Sequence, residues 1–99
     1  FCTDSIVEDG AVAGIELGTA ADSNELITTI DPAAIAVNEW WTGPSSVTQS
    51  AQITGDQIDV LISSTIRLTI TGGTDLDSGT IVFDVWYLPV TDDGALAAA

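Results

Sequence analysis

Two aspartates at alternate positions, Asp75 and Asp77, have the spacing in this sequence that best suits metal chemistry. They are followed by Ser78 and Gly79, and Ca²⁺-binding loops use alternating oxygen ligands in a similar way. An EF-hand needs more ligands and a distal glutamate, which this segment does not supply. We therefore interpret the segment first as a turn between two strands, with calcium binding by Asp75 and Asp77 as the functional alternative.

Nucleophilic and general-base chemistry lacks its usual residues here. The 99 residues include 15 aspartates and glutamates, a single basic side chain (Arg67) and no histidine. A Ser-His-Asp triad, a Cys-His pair, a Schiff-base lysine and a histidine-ligated zinc are therefore excluded. Paired carboxylates alone can hydrolyse glycosides, but no supporting constellation of residues accompanies them. We expect a protein that is not an enzyme, and we assign no catalytic residue.

The aromatic residues offer a different function, which is contact with another molecule. Trp40 and Trp41 are adjacent, so in a strand their rings point to opposite faces and only one can enter a two-layer core. Trp86 and Tyr87 form a second adjacent pair. Because tryptophan and tyrosine dominate interface hot spots, we predict an interface formed by Trp40, Trp41, Trp86 and Tyr87. Two alternatives stay open: loop packing inside a small sandwich, and an aromatic platform that binds carbohydrate.

The elements that must position these residues are predicted by period-two alternation. Residues 65–71 place Ile66, Leu68 and Ile70 on one face and polar residues on the other, which is typical of a half-buried strand. Residues 80–88 also alternate, but both of their faces are largely apolar. We therefore predict a central strand at 80–88, preceded by a turn-rich connector.

The rest of the chain predicts short strands separated by Gly, Pro, Asp and Ser. Asp31 can cap a single helical turn at residues 32–36, and Pro32 suits its first position. Short strands at about ten-residue spacing are typical of an all-β sandwich or barrel. We predict one all-β domain over residues 1–99, a small antiparallel β-sandwich or barrel-like (jelly-roll-like) fold with a poorly structured tail from about residue 90. The other predicted strands cover residues 1–7, 11–17, 26–30, 35–41 and 58–62, and residues 45–52 are predicted to be a loop or an edge of the sheet.

The charge of the chain restricts its partners. The net charge is −14, although 45% of the residues are hydrophobic and the mean hydropathy is +0.37. One arginine cannot displace the counterions of a nucleic acid, so direct binding to DNA or RNA is not expected. No run approaches the roughly 20 apolar residues of a membrane span, so no membrane partner is expected. The uncompensated negative charge favours high salt, bound cations or a basic neighbouring surface. Cys2 is the single cysteine, so no intrachain disulfide can form, and we expect a small buried or idle side chain; a disulfide between chains is the alternative.

Four segments carry a resemblance to a known group of proteins. They are Gly18-Thr19-Ala20-Ala21-Asp22, then Glu25-Leu26-Ile27-Thr28, a strand with aromatic residues, and a closing hairpin that runs from Asp75-Leu76-Asp77-Ser78-Gly79 to Tyr87. Together they cover about the last 80 residues. This pattern resembles small all-β virion proteins of tailed bacteriophages. The resemblance implies a structural component of the phage head, either a decoration (cement) protein or a head-spike subunit, with no catalytic residues to assign.

The resemblance and the composition together lead to one expected function. We expect a non-enzymatic virion structural protein, located in the extracellular particle, with calcium as its only candidate cofactor. It would bind the major capsid protein lattice, its own copies as a homo-oligomer, or both, through aromatic and aliphatic surface. The alternative is an extracellular acidic β-domain that binds calcium or carbohydrate.

Overall fold

The computed structural model describes residues 1–9, 14–48, 60–73 and 75–98 of the chain. The predicted all-β class is confirmed, because the described residues form antiparallel strands and a single short 3-10 turn. The described strands form three small sheets with the orders β1-β7, β3-β2-β6 and β4-β5. A sandwich or barrel arrangement of these sheets stays a prediction. The elements are β1 (Cys2–Asp9), β2 (Gly14–Gly18), β3 (Ile27–Ile30), the 3-10 turn (Pro32–Ala34), β4 (Glu39–Trp41), β5 (Ser46–Thr48), β6 (Arg67–Thr71) and β7 (Asp75–Ile81).

Strand β2 is central in its sheet, and both of its faces are covered. Ile15 is wholly buried on the core side, opposite Ile30 of β3. On the other face Gly18 allows the following loop to cross closely, because a Cβ at this position would collide with the backbone carbonyl of Asp22. The packing of β2 therefore requires a large apolar residue at Ile15 on one face and a glycine at Gly18 on the other.

The hydrophobic core joins the three sheets. Cys2 is 0% exposed, which confirms the expected small buried cysteine, and its thiol donates to the Asp4 carbonyl at 3.2 Å. Each fully buried aliphatic side chain contributes roughly 1.5–3 kcal/mol. Because this core is small, a single truncation within it removes a large share of the stability. Among the residues that the structure describes, the buried hydrophobic ones are Cys2, Ile15, Ile30, Ile35 and Trp41.

Local sequence signals determine the connection between β3 and β4. The Ala33 N–H donates to Asp31 Oδ1 at 2.9 Å at the start of the 3-10 turn, so the predicted helical turn is confirmed. The strand predicted at 26–30 is confirmed as β3. The strand predicted at 35–41 is reduced to β4, because Asn38 has a φ of 67°, in the left-handed region that interrupts an extended run. Residues 45–52, predicted to be a loop or an edge, include the short strand β5, which in the described residues pairs with β4 alone; this agrees with the edge alternative. Residues 49–52 lie outside the described residues.

The largest correction concerns residues 75–88. The strand predicted at 80–88 is wrong in its position, since β7 covers Asp75–Ile81 and includes the segment predicted as a turn. The physical reason is long-range pairing: β7 pairs antiparallel with β1, and these ladder hydrogen bonds outweigh the turn preference of Asp, Ser and Gly. The register is irregular, and Gly79 has a φ of 127° where an added Cβ would lie 2.7 Å from the Ile6 Cα.

The remaining predicted strands have mixed outcomes. The strand predicted at 65–71 is confirmed as β6, but the prediction of its buried face is wrong. Leu68 and Ile70 are 41% and 37% exposed, whereas Thr69 and Thr71 on the other face are half-buried. The strand predicted at 1–7 is confirmed as β1. The strand predicted at 11–17 corresponds to β2, with residues 11–13 outside the described residues. Residues 60–62 form no strand, and the rest of the strand predicted at 58–62 lies outside the described residues.

Candidate interaction surface

The pairing of β1 with β7 extends one step beyond β7, to Phe1 and Val82. Phe1 and Val82 exchange two backbone hydrogen bonds, from the Phe1 amino group to the Val82 carbonyl at 2.7 Å and from the Val82 N–H to the Phe1 carbonyl at 2.8 Å. From residue 83 onward the described chain forms no strand. Residues 83–88 therefore leave the sheet with an alternating, strand-forming sequence that pairs with no described residue.

Residues 82–90, called here the apolar segment, carry much of the exposed apolar surface that the structure describes. Asp84 is the one charged residue among them. Trp86 and Leu88 are each 87% exposed. Contiguous exposed apolar surface of this kind marks an interaction site more often than an inert face. Thirteen large hydrophobic residues are exposed among the described residues, and seven of them lie in this segment: Val82, Phe83, Val85, Trp86, Tyr87, Leu88 and Val90.

The two adjacent tryptophans of β4 occupy different environments, as their opposite directions in a strand require. Trp41 is 5% exposed and lies in the core, where its Nε1–H donates to the Gly43 carbonyl at 2.8 Å. Phe83 packs edge-on against Trp41, with ring centroids 6.3 Å apart. Trp40 is half-buried and packs against Phe1 at a centroid distance of 4.7 Å. Trp41 therefore supports the surface from beneath, and Trp40 lies at its border with β1.

An open groove of about 200 Å³ separates the apolar segment from β4. Three of the four predicted interface residues, Trp40, Trp41 and Trp86, line it. The fourth, Tyr87, follows Trp86 in sequence and is 53% exposed. Burial lowers the pKa of the Phe1 amino group at this groove, and the Asp84 carboxylate opposes that shift. The structure thus brings the predicted aromatic residues together around one depression.

Several residues of this surface were not predicted as interface residues. Phe1 contributes its ring and its backbone, and Phe83 connects the apolar segment to Trp41. Leu88 and Val90 extend the exposed apolar surface. The signal that points to Phe83 and Leu88 is the apolar character of both faces of 80–88, which also underlies the prediction of a central strand there. A segment that is apolar on both faces is equally suited to burial against another molecule.

The candidate calcium ligands lie in a strand and not in a loop. Asp75 and Asp77 occupy alternate positions of β7, which places them on one face, and both are exposed. Within residues 1–9, 14–48, 60–73 and 75–98, no group of three or more His, Cys, Asp or Glu residues is placed to hold a metal ion. Calcium takes about six to eight oxygen ligands. Calcium binding by Asp75 and Asp77 stays a prediction.

Two glutamates outside this surface connect neighbouring strands. Hydrogen bonds from the Ser23 and Thr29 hydroxyls lower the pKa of Glu16, and the Thr29 bond is 2.6 Å long. Glu39 has a lowered pKa because it accepts hydrogen bonds from the Ser46 hydroxyl and the Ala36 N–H. These bonds join β2 to β3 and β4 to β5, which gives both glutamates a structural role.

Comparison with known proteins adds no relative to this description. No family model, curated protein or solved structure matches the chain. The resemblance to virion proteins of tailed bacteriophages therefore remains a prediction. Among the described residues, no helix has both the length and the apolar composition of a membrane span.

Proposed function

We propose that this protein is a non-enzymatic structural protein of a virion, a decoration (cement) protein that binds the head lattice or its own copies through the apolar segment. The observation that supports this proposal is the concentration of exposed aliphatic and aromatic side chains in residues 82–90. The buried core is built from residues elsewhere in the chain. The apolar segment is therefore available for contact with a neighbour.

The side chains of the apolar segment have the size that interface anchors need. An aromatic side chain buries about 150–250 Å² when it is fully covered. Since Trp86 is 87% exposed, covering it would gain roughly 3–5 kcal/mol before the costs of ordering and desolvation are subtracted. Tyr87 and Leu88 add further area beside it. A small number of such anchors can dominate the binding energy of an interface.

The distribution of acids determines where a neighbour can approach. Asp84 is one of the 15 acids, so the other 14 lie outside the apolar segment. An acidic neighbour is repelled elsewhere on the molecule, whereas at the apolar segment it meets one carboxylate. We therefore propose that the segment forms the centre of the contact, with basic groups of the lattice facing the acids around it.

Binding to phage heads assembled without this protein tests the proposal. The wild-type chain should co-sediment with such heads and raise the temperature at which they break. Leu88→Ala should weaken binding about fivefold or more, because truncation of an interface anchor costs more than about 1 kcal/mol. Leu61→Ala is the matched control, since Leu61 is 75% exposed but lies outside the apolar segment. No binding, unchanged head stability, or an equal effect of the two variants would contradict the proposal.

The aromatic groove favours a second candidate, an extracellular β-domain that binds carbohydrate. Trp40 and Trp86 line it together with Thr42 and Asp84, so it combines aromatic surface with polar groups. Its volume of about 200 Å³ is below the roughly 300–1,000 Å³ of typical ligand pockets, which restricts the ligand to a small saccharide. Titration with a panel of oligosaccharides, followed by tryptophan fluorescence, distinguishes the candidates. Saturable binding that is lost in Trp40→Ala and retained in Leu88→Ala would favour the carbohydrate function.

A further inference from the structure

We infer that two copies of this chain pair through residues 83–87 as antiparallel strands, related by a two-fold axis that passes through the pair formed by Val85 and its own copy. The inference rests on the proposed function, because it identifies a second copy as the neighbour that covers the apolar segment. The structure supports it through the free edge of the strand, the positions of the charges and the area that is available for burial.

The direction of the backbone groups follows from the last pair of the β1-β7 ladder. Val82 directs both its N–H and its carbonyl toward Phe1. Backbone groups alternate sides along a strand, so a continuation of β7 directs those of Phe83, Val85 and Tyr87 to the opposite edge. In the described residues no strand occupies that edge, because β7 pairs with β1 alone. An exposed strand edge of this kind is a template for pairing with another chain.

Two-fold symmetry then restricts the register. In an antiparallel pair the hydrogen-bonded and non-hydrogen-bonded positions alternate, so a two-fold axis must pass through one residue that faces its own copy. With Val85 at the axis, Phe83 faces the Tyr87 of the second copy, and all of these positions are hydrogen-bonded ones. Cross-strand aromatic pairs stabilise antiparallel strands. Pro89, which has no N–H to donate, lies outside the paired positions.

The charges are compatible with this register. Asp84 faces the Trp86 of the second copy and not the Asp84 of the second copy, so no carboxylate stands directly opposite another. The other 14 acids lie elsewhere in each chain and repel one another. The pairing should therefore strengthen as added salt screens this repulsion.

The exposed area is sufficient for a stable dimer. The seven exposed hydrophobic residues of the apolar segment together expose on the order of 800 Å² per chain, which is about one partner's share of a standard interface. Strand pairing covers part of this area, and packing of the aromatic rings against the second copy covers the rest. A contact confined to scattered surface residues would not reach this size.

Cross-linking of a single introduced cysteine tests the register. Hydrogen-bonded antiparallel residues have Cα atoms about 5.5 Å apart, which lies within the range that a disulfide spans. Under mild oxidation Val85→Cys should form a covalent dimer at least tenfold faster than Leu96→Cys, an exposed position in the tail. The native Cys2 is wholly buried, so the wild-type chain is the blank for this reaction. Equal rates for the two variants would overturn the register.

Sedimentation velocity tests the dimer itself. The wild-type chain should pass from monomer to dimer as concentration and salt increase. Val85→Pro should weaken the dimer roughly tenfold or more, because it removes the two hydrogen bonds of the central pair. Ala95→Pro, a substitution in the tail, should have no effect. A chain that stays monomeric overturns the inference: if it still binds heads through Leu88, the proposed function stands, and if it binds neither heads nor itself, both fall.

Discussion

Truncating Trp41 and Trp86 to alanine, one at a time, distinguishes a core residue from a residue of the binding surface by the effect on stability. Trp41 is 5% exposed and Trp86 is 87% exposed, so the same substitution acts in opposite environments. Trp41→Ala removes a buried ring, leaves a cavity and deprives the Gly43 carbonyl of its hydrogen bond. Truncation of a buried aromatic residue costs about 3–5 kcal/mol. In the isolated chain, Trp86→Ala should change the free energy of unfolding by no more than about 0.5 kcal/mol.

Urea unfolding followed by circular dichroism measures both changes. A domain of this size is stable by roughly 5–15 kcal/mol, so Trp41→Ala should remove between a fifth and nearly all of that stability. The chain must be dilute enough to be monomeric, because association through Trp86 would add apparent stability. Trp41→Phe retains most of the ring and loses the hydrogen bond, so its expected cost is about 1–2 kcal/mol. This variant keeps the comparison measurable if Trp41→Ala does not fold.

The same variants should reverse their order in association. Trp86→Ala should lose binding to heads and to a second copy, whereas Trp41→Phe should retain both. A loss of stability in Trp86→Ala that equals or exceeds that of Trp41→Phe would refute the assignment of Trp41 to the core and of residues 82–90 to the surface. So would head binding that depends on Trp41 and is unchanged in Trp86→Ala.

Three further predictions concern the strands that support this surface. Gly18→Ala should destabilise the fold by about 1–3 kcal/mol, because its Cβ would collide with the Asp22 carbonyl; an unchanged thermal midpoint would mean that the loop does not cross β2 there. The lowered pKa of Glu16 stabilises its charged form in the fold, so its contribution is complete above the ordinary value of 4.5 and is lost as pH falls through the lower folded pKa. The difference in unfolding free energy between wild type and Glu16→Gln should therefore be largest near neutral pH and decrease in acid, and a constant difference would contradict this role. Calcium binding by Asp75 and Asp77 predicts a melting temperature that rises with calcium and falls with EDTA, a response that the variant Asp75→Asn, Asp77→Asn should lose; one temperature under all these conditions would exclude it.

Short-range signals predict the parts of this fold that depend on few residues. The cap at Asp31 requires one carboxylate and an N–H two positions later, and the structure contains that bond. Strand β3 is predicted within one residue by its β-branched composition and the Pro32 that follows it. The burial of Cys2 follows from the general preference of a small apolar thiol.

Long-range pairing determines what the sequence alone could not reveal. Asp, Ser and Gly at residues 75–79 favour a turn locally. Their backbone hydrogen bonds to β1 hold them in an extended conformation, as part of β7. The strongest alternating segment, 83–88, has no described strand beside it, although its composition favours a strand. The sequence indicates that one of Trp40 and Trp41 enters the core but not which one, since that choice depends on which face of β4 is turned toward the core.

Hydrogen exchange at the backbone amides of residues 83–88 tests the central claim most directly. These amides have no hydrogen-bond partner among the described residues of a single chain, so we predict rapid exchange in dilute solution. Exchange at Phe83, Val85 and Tyr87, whose amides face the second copy, should slow as protein concentration or salt increases, and exchange within 83–88 should slow on binding to heads, while the amides of β2 stay protected throughout. Protection of 83–88 in the dilute monomer to the level of β7 would contradict the claim. Rapid exchange at every concentration and on heads would contradict it equally.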